Sequence, residues 1–152
     1  MGSVPLFWVR ANSAFGCCGP SDSFAGRQIA ANQSVKVYFC DTGIRNYVIG
    51  DWRVMDSRDP AEVGHLWENY VIAERRKWLL LHEPETRSFF WRTKQQQEVD
   101  LVEESANGLK AFEIKWNPKK AAEPLPRTFT NAYPSAETFG VSPDNVCEFL
   151  LG

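Results

Sequence analysis

Asp100, Glu113 and Lys115 are the residues whose types and spacing are best suited to chemistry. Two neighbouring carboxylates suit a divalent cation, because Mg²⁺ prefers one or two carboxylates and keeps several of its waters. A lysine beside them would orient or deprotonate a water molecule and stabilise developing negative charge. The carbonyl oxygen of Ile114 would be a further ligand. These residues therefore predict a magnesium or manganese site suited to phosphodiester hydrolysis.

A β-hairpin is the predicted element that positions these side chains. Residues 98–102 and 109–116 are typical of strands, and Asn107-Gly108 between them is a strong hairpin signal, because a type I′ turn needs positive φ at both central residues. With this dipeptide at the tip, Asp100 faces Lys115. Side chains alternate along a strand, so we expect the three site residues on one face, at a solvent-accessible position. The two carboxylates would be about 7–8 Å apart at the backbone.

A further acid is expected from the clearest predicted helix, which begins at Asp59-Pro60 and runs to about Leu79. Asp59 is a good N-cap, and Pro60 suits the first helical position. Glu68 lies at the edge of the apolar stripe, whereas Glu74 lies nearer its centre and competes for the role. The apolar residues of the stripe recur at helical spacing: Val63, Leu66, Trp67, Tyr70 and Val71.

Each of these residues also has a purely structural interpretation. Asp100 and Lys115 could form a cross-strand ion pair with no further role. Glu68 could be a surface residue of an amphipathic helix, and Glu74 could be a buried acid that pairs with Arg75 or Arg92. The Glu-x-Lys spacing is weak alone, and the ordered combination of helix acid, hairpin acid and Glu-x-Lys is what favours a site.

The remaining elements predict a sheet with a helix against one face, either α/β or α+β. A strand is predicted at 35–39, a short helix at 41–49, and further strands at 88–92 and 137–141. The segment after Trp116 is interrupted by prolines and is expected to be irregular or to form short helices. Residues 145–150 are ambiguous between helix and strand. Residues 1–23 are rich in Gly, Ser, Pro and Cys and look unlike the rest of the chain.

Composition indicates one globular domain in a chain of 152 residues with a net charge of −2. Between Lys110 and Arg127, five basic residues stand against two acidic ones, a patch that suits either phosphate or a solvated surface. The four cysteines form no CxxC pair, so structural zinc is not expected. Adjacent Cys17-Cys18 without a secretory signal favours reduced thiols in the cytoplasm, and no segment reaches transmembrane length.

The helix acid Glu68, the hairpin acid Asp100 and the Glu113-Ile114-Lys115 strand resemble, in this order, the PD-(D/E)xK nuclease superfamily. The resemblance implies a restriction-endonuclease-like α/β fold, a mixed central sheet with flanking helices. It also implies that Asp100, Glu113 and Ile114 bind Mg²⁺ or Mn²⁺, that Lys115 and Glu68 are catalytic, and that DNA is the substrate.

Five segments extend this resemblance to the C-terminal domain of bacterial and archaeal AAA-type ATPases. The match spans roughly residues 24–152, and residues 1–23 would be an unrelated or poorly ordered segment. The chain has no GxxxxGK[ST] loop, so we expect a nuclease-like domain detached from its ATPase. The alternative is a non-catalytic module that binds an ATPase or a second copy of itself. The segments are Lys36–Asn46, Leu66–Asn69, Phe90–Thr93, Glu98–Asp100 and Ala111–Trp116.

Overall fold

The computed structural model describes residues 8–14 and 35–151, which form six strands and five helices. The strands are β1 (Trp8–Ala14), β2 (Val35–Phe39), β3 (Arg87–Arg92), β4 (Glu98–Ser105), β5 (Gly108–Ile114) and β6 (Glu137–Val141). The helices are α1 (Thr42–Ile49), α2 (Pro60–His82), α3 (Pro118–Ala121), α4 (Arg127–Ala132) and α5 (Val146–Leu151), with a 3-10 turn at Met55–Ser57.

The strands form one mixed sheet of six strands in the order β2-β1-β3-β4-β5-β6. The pairs β1–β3 and β5–β6 are parallel, and the other three pairs are antiparallel. Helices α2 and α5 pack on one face, and α4 packs on the other. This arrangement confirms the predicted α/β class, a mixed sheet flanked by helices.

Two hydrophobic clusters fill the space between the sheet and its helices, because each face of a sheet must bury its apolar side chains. The first cluster joins α2 and α5 to the sheet through residues such as Trp67, Val71, Phe90 and Phe112. The second cluster joins α4 to the opposite face and includes Phe89, Trp91, Val99, Val102 and Phe129.

The long helix α2 begins where the sequence predicts and continues to His82. The side chain of Asp59 accepts hydrogen bonds from the backbone N–H groups of Ala61 and Glu62 and so caps the helix. Four of the five predicted stripe residues are buried. The prediction is wrong for Tyr70, which is 40% exposed and contacts the ring of Trp67 at the rim of the stripe.

Most of the other predicted elements are confirmed. The strand at 137–141 and the helix within 41–49 form as expected, and Asp41 caps that helix through Ile44 N–H. The ambiguous segment 145–150 is helical, and the proline-interrupted stretch contains two short helices. Cys17 and Cys18 lie outside the described residues. Trp8–Ala14 forms a strand of the sheet, and the domain boundary at residue 24 stays a prediction.

The register of the β4–β5 hairpin differs from the predicted one. Ser105 pairs with Gly108, so the turn consists of Ala106 and Asn107 rather than Asn107 and Gly108. The physical reason is that Gly108 has a positive φ, of 121°, whereas Asn107 does not, so the type I′ turn is not formed. Extending this register places Asp100 opposite Glu113, not opposite Lys115.

An amide side chain fastens α2 to the edge strand β2. Asn69 accepts a hydrogen bond from Phe39 N–H and donates one to the Phe39 carbonyl, both at 2.9 Å. Because Asn69 is buried, the pair fixes where the neighbouring residue Glu68 meets the sheet. Over the residues that the structure describes, no helix combines the length and apolar character needed to cross a membrane.

Candidate functional site

A β-bulge in β4 positions Asp100. Phe89 pairs with Val102 but Trp91 pairs with Val99, so β4 has one more residue than β3 in this interval. A bulge interrupts the alternation of side chains and bends the strand. Accordingly, Val99 and Leu101 belong to opposite clusters, although regular alternation would place them on one face.

Asp100 belongs to β4, and its buried side chain faces β5. Its Oδ2 atom accepts a hydrogen bond from the backbone N–H of Ile114 at 2.9 Å and another from Lys115 Nζ at 2.6 Å. The carboxylate therefore takes the place of a backbone acceptor at the end of the hairpin. Its side chain is 5% exposed, so the expected solvent-accessible position is wrong for Asp100, although Lys115 is 35% exposed.

Lys115 joins the two carboxylates of the hairpin. Its Nζ atom lies 2.6 Å from Asp100 Oδ2 and 2.6 Å from Glu113 Oε1, so these oxygens cannot be farther apart than twice that distance. Burial lowers the pKa of Lys115, but the charges and hydrogen bonds of Asp100 and Glu113 outweigh burial, and its pKa is raised. Lys115 is therefore a protonated donor at neutral pH.

Glu113 has one buried carboxylate oxygen that is not satisfied. Its Oε2 atom has no hydrogen-bond partner among the described residues. Burial and the negative charge of Asp100 raise the pKa of Glu113, although Lys115 and Lys36 oppose the shift. A buried oxygen without a partner is costly unless a bound ligand, ion or water completes it.

Glu68 is the helix acid that reaches the site. Its Oε1 atom accepts hydrogen bonds from Lys36 Nζ at 3.0 Å and from the Tyr38 hydroxyl at 2.6 Å. Burial, followed by the negative charge of Glu68, raises the pKa of Tyr38 well above its ordinary range, so the hydroxyl keeps its proton and donates. Glu74 instead pairs with Lys77 at 2.6 Å on the outer face of α2.

Lys36 connects the helix acid to the hairpin. Its Nζ atom lies 3.7 Å from Asp100 Oδ1 and 3.7 Å from Glu98 Oε2, in addition to its bond with Glu68. Burial lowers the pKa of Lys36, but the charges of Glu68, Asp100 and Glu98 outweigh burial and raise it above its ordinary value. On the other side, Arg92 Nε lies 3.0 Å from Glu98 Oε1.

The predicted site residues are thus brought together, but in a network of ion pairs. Within residues 8–14 and 35–151, no group of three or more His, Cys, Asp or Glu side chains is arranged to hold a metal ion. Ile114 contributes its N–H group to Asp100, and the predicted role of its carbonyl stays a prediction.

Sequence reasoning missed Lys36, Tyr38 and Glu98. Lys36 and Tyr38 share one face of β2, because alternate side chains of a strand point the same way. That alternation was a usable signal, since it places a lysine and a tyrosine together. The contact of this face with Glu68 depends on packing over about thirty residues of sequence and has no local signal.

Comparison with known proteins identifies the family. The model described as "Domain of unknown function (DUF4143)" matches residues 63–146. "Uncharacterized protein Rv2008c" of Mycobacterium tuberculosis and "Uncharacterized protein Mb2031c" of Mycobacterium bovis are each 37% identical to the chain over 84 residues. The alignment covers 55% of this chain and 18% of each relative, so the chain spans less than a fifth of the curated relatives it matches. No solved structure matches the chain significantly. Because the family model covers more than half of the chain, the chain belongs to the DUF4143 family, a domain of unknown function.

Proposed function

We propose that the chain is a nuclease-like domain that binds Mg²⁺ or Mn²⁺ through Asp100 and Glu113 and acts on DNA phosphodiesters. The observation that carries the proposal is the buried Glu113 Oε2 atom, which lacks a partner in the described residues while its sister oxygen shares Lys115 with Asp100. A cation beside this oxygen would satisfy it and would relieve the repulsion between the two carboxylates.

The donor set suits a hard divalent cation. Asp100 and Glu113 supply carboxylate oxygens, which Mg²⁺ prefers, and the carbonyl of Ile114 would add a neutral ligand. The cation would supply positive charge to the non-bridging phosphate oxygens. The restriction-endonuclease-like core belongs to the same proposal, because the order of the site residues along α2, β4 and β5 matches that superfamily.

Lys115 and Glu68 would perform different tasks in such a site. Asp100 and Glu113 hold the ammonium of Lys115 in position. Because the pKa of Lys115 is raised, its ammonium is better suited to stabilise negative charge than to remove a proton from water. The Tyr38 hydroxyl holds Glu68 in one orientation, so Glu68 is suited to position a water molecule or a second ligand.

DNA is the proposed substrate because basic side chains continue beyond the site. Lys119 and Lys120 are exposed on α3, a few residues after Lys115. A phosphate backbone would reach these charges if its scissile group lay beside Lys115. Since the net charge is −2, we expect weak DNA binding that decreases steeply with salt.

Metal binding and DNA cleavage by wild type and by Asp100→Asn test the proposal. Mn²⁺ should raise the melting temperature of wild type, because a ligand of the native state stabilises it. Wild type should cut plasmid or single-stranded DNA only with metal. Asp100→Asn keeps an oxygen for Ile114 N–H but removes the charge, so it should lose the metal response and the cleavage.

Asp144→Asn is the matched control, because Asp144 is an exposed aspartate that lies outside α2, β4 and β5, the elements that carry the carboxylates of the site. Lys115→Met should reduce cleavage about a hundredfold or more while metal still raises the melting temperature. An unchanged melting temperature of wild type at millimolar Mn²⁺, together with no cleavage of any DNA form, would reject the proposal.

A second candidate is a non-catalytic module that binds an ATPase or another copy of the chain. The specific observation is a set of large exposed apolar side chains in α1 and the segment after it, which we call the α1 surface. It consists of Ile44, Tyr47, Val48, Ile49, Trp52, Val54 and Met55. The family is found in AAA-ATPase-associated proteins, which supports a protein partner. Cleavage that is lost in Asp100→Asn would exclude a purely non-catalytic role.

A further inference from the structure

The ammonium of Lys36 lies where three carboxylates converge. Its Nζ atom is 3.0 Å from Glu68 Oε1 and 3.7 Å from both Glu98 Oε2 and Asp100 Oδ1. Helix α2 contributes the first acid and β4 the other two, so the lysine of the edge strand β2 bridges separate elements. The Lys36 Nζ atom also lies 5.6 Å from the centre of the Phe90 ring.

Asp100 offers its two oxygens to different partners. Its Oδ2 atom is taken by Ile114 N–H and Lys115, so Oδ1 is the oxygen left for an added cation. That oxygen faces Lys36 at 3.7 Å. A divalent cation bound to Asp100 Oδ1 would therefore lie within a few ångströms of a positive ammonium, where like charges repel strongly.

The charges of the cluster are nearly balanced by its own side chains. Among the described residues, four acids (Glu68, Glu98, Asp100 and Glu113) contact three cations (Lys36, Lys115 and Arg92). With Lys36 in place the cluster has one excess negative charge. If the ammonium moved away, the excess would double, which would favour a divalent cation.

We propose that Lys36 is a built-in counter-ion of the carboxylate cluster, and that a divalent cation binds to Asp100 and Glu113 only by displacing its ammonium. This inference rests on the proposed metal site. Lys36 thereby controls the metal affinity of the site. Without metal, the domain is stable because the ammonium of Lys36 supplies the missing positive charge. When metal binds, the divalent cation takes the place of that ammonium.

The surroundings of Lys36 allow this exchange. Its side chain is 22% exposed, so part of it already meets solvent, and a lysine ammonium is carried on a four-carbon stem with several rotatable bonds. Glu68 would not be left without a donor, since the Tyr38 hydroxyl bonds to the same Oε1 atom at 2.6 Å. When the ammonium moves away, only the ion pairs that Lys36 itself forms are lost. At Asp100, a divalent cation would replace the lost ion pair.

Calorimetric titration with Mn²⁺ of wild type, Lys36→Met and a control tests the exchange. Removal of a like charge next to the site should make Lys36→Met bind Mn²⁺ about tenfold tighter or more. The same variant should melt at a lower temperature without metal and regain that loss with it. Lys77→Met is the matched control, because Lys77 pairs with Glu74 on the outer face of α2 and should bind as wild type does.

The outcomes separate this inference from the proposed function. If wild type binds Mn²⁺ and Lys36→Met binds it no tighter, Lys36 does not compete and only this inference fails. If neither protein binds Mn²⁺, the metal site itself is rejected, and the inference with it. Tighter binding by Lys36→Met that disappears in Lys36→Met/Asp100→Asn would support both.

A measurement on wild type covers the case in which Lys36→Met does not fold. Acetylation of lysines by an activated ester, followed by mass spectrometry, reports which ammonium groups reach solvent. Saturating Mn²⁺ should make Lys36 several-fold more reactive relative to Lys77 in the same sample. Unchanged relative reactivity at a concentration where calorimetry shows Mn²⁺ bound would overturn the displacement.

Discussion

One carboxylate oxygen of Glu113 is buried, and the charged neighbours of Glu113 are the negative Asp100 and the positive Lys115. Asp100 disfavours its ionised form and Lys115 favours it, but burial is the largest influence, and the pKa of Glu113 is raised above its ordinary 4.5. A native state that holds a proton more tightly than the unfolded chain loses stability as pH rises through the folded pKa. Ionised Glu113 therefore destabilises the metal-free protein at neutral pH.

Glu113→Gln should remove this dependence. In buffer with a chelator, the free energy of unfolding of wild type should decrease relative to that of the variant as pH rises above about 4, the ordinary range of a glutamate pKa, because the side chain at position 113 ionises only in wild type. Urea unfolding at several pH values measures the difference. Glu148→Gln, at an exposed position of α5, is the matched control. A difference that grows in favour of wild type would contradict the raised pKa.

The residue types of the hairpin could be read from the sequence, but their exact contacts could not. Glu113 and Lys115 were predictable as neighbours on one face, because they occupy alternate positions of a predicted strand. Asp100 was identified from its spacing to Glu113 and Lys115, yet its burial depends on a bulge opposite Phe90, and a one-residue insertion in a strand leaves no clear pattern. Lys36 reaches Asp100 only once β2 and β4 share a sheet.

At the scale of elements, a buried ion pair fastens α2 to β4. Arg75 Nε and Nη2 each lie 3.0 Å from a different oxygen of Glu103, and Arg75 Nη1 donates to the Phe149 carbonyl. Both side chains are buried. The pair therefore ties the helix that contains Glu68 to the strand that contains Asp100, and also to α5.

Arg75→Met should destabilise the fold by about 3–5 kcal/mol, because it leaves the carboxylate of Glu103 buried without its partner. The double variant Arg75→Met/Glu103→Met should recover most of that loss, since no charge then remains buried. Urea unfolding of the three proteins measures both effects. A double variant as unstable as Arg75→Met would show that packing around Arg75, and not the unpaired charge, causes the loss.

Lys77→Met is the matched control for this pair. Lys77 Nζ lies 2.6 Å from Glu74 Oε1 on α2, and the two side chains are 46% and 34% exposed. Exposed ion pairs contribute about 1 kcal/mol or less, so the control should change stability little. A loss as large as that of Arg75→Met would mean that exposure does not separate the two pairs.

Helices and strands were predictable where local signals agree. Asp59-Pro60 gave the start of α2, and alternation gave β2 and β6, because capping and periodicity act within a few residues. The hairpin turn was shifted by one residue, since a positive φ at Gly108 alone changed which residues form the loop. Tyr70 had the period of a core residue, but its side chain is 40% exposed at the rim of the α2 stripe.

At the scale of the whole molecule, the α1 surface contains seven of the large apolar side chains that are exposed among the described residues. Tyr47, Val48, Trp52 and Val54 are each more than half exposed, and the rings of Tyr47 and Trp52 touch edge to face. Contiguous exposed apolar groups of this kind mark interaction sites in soluble proteins. A second copy of the chain is the occupant that purified protein can test directly.

Sedimentation of wild type and Trp52→Glu over a range of concentrations tests self-association. If two copies meet through the α1 surface, the mass of wild type should rise with concentration, whereas a buried glutamate should keep the variant monomeric. Leu81→Glu is the matched control, because Leu81 is 79% exposed on α2, outside the surface, and should behave as wild type does. Equal association of all three proteins would place the contact elsewhere. A wild type that stays monomeric throughout would exclude a second copy as the occupant, and the ATPase would remain as the partner that the interaction-module candidate requires.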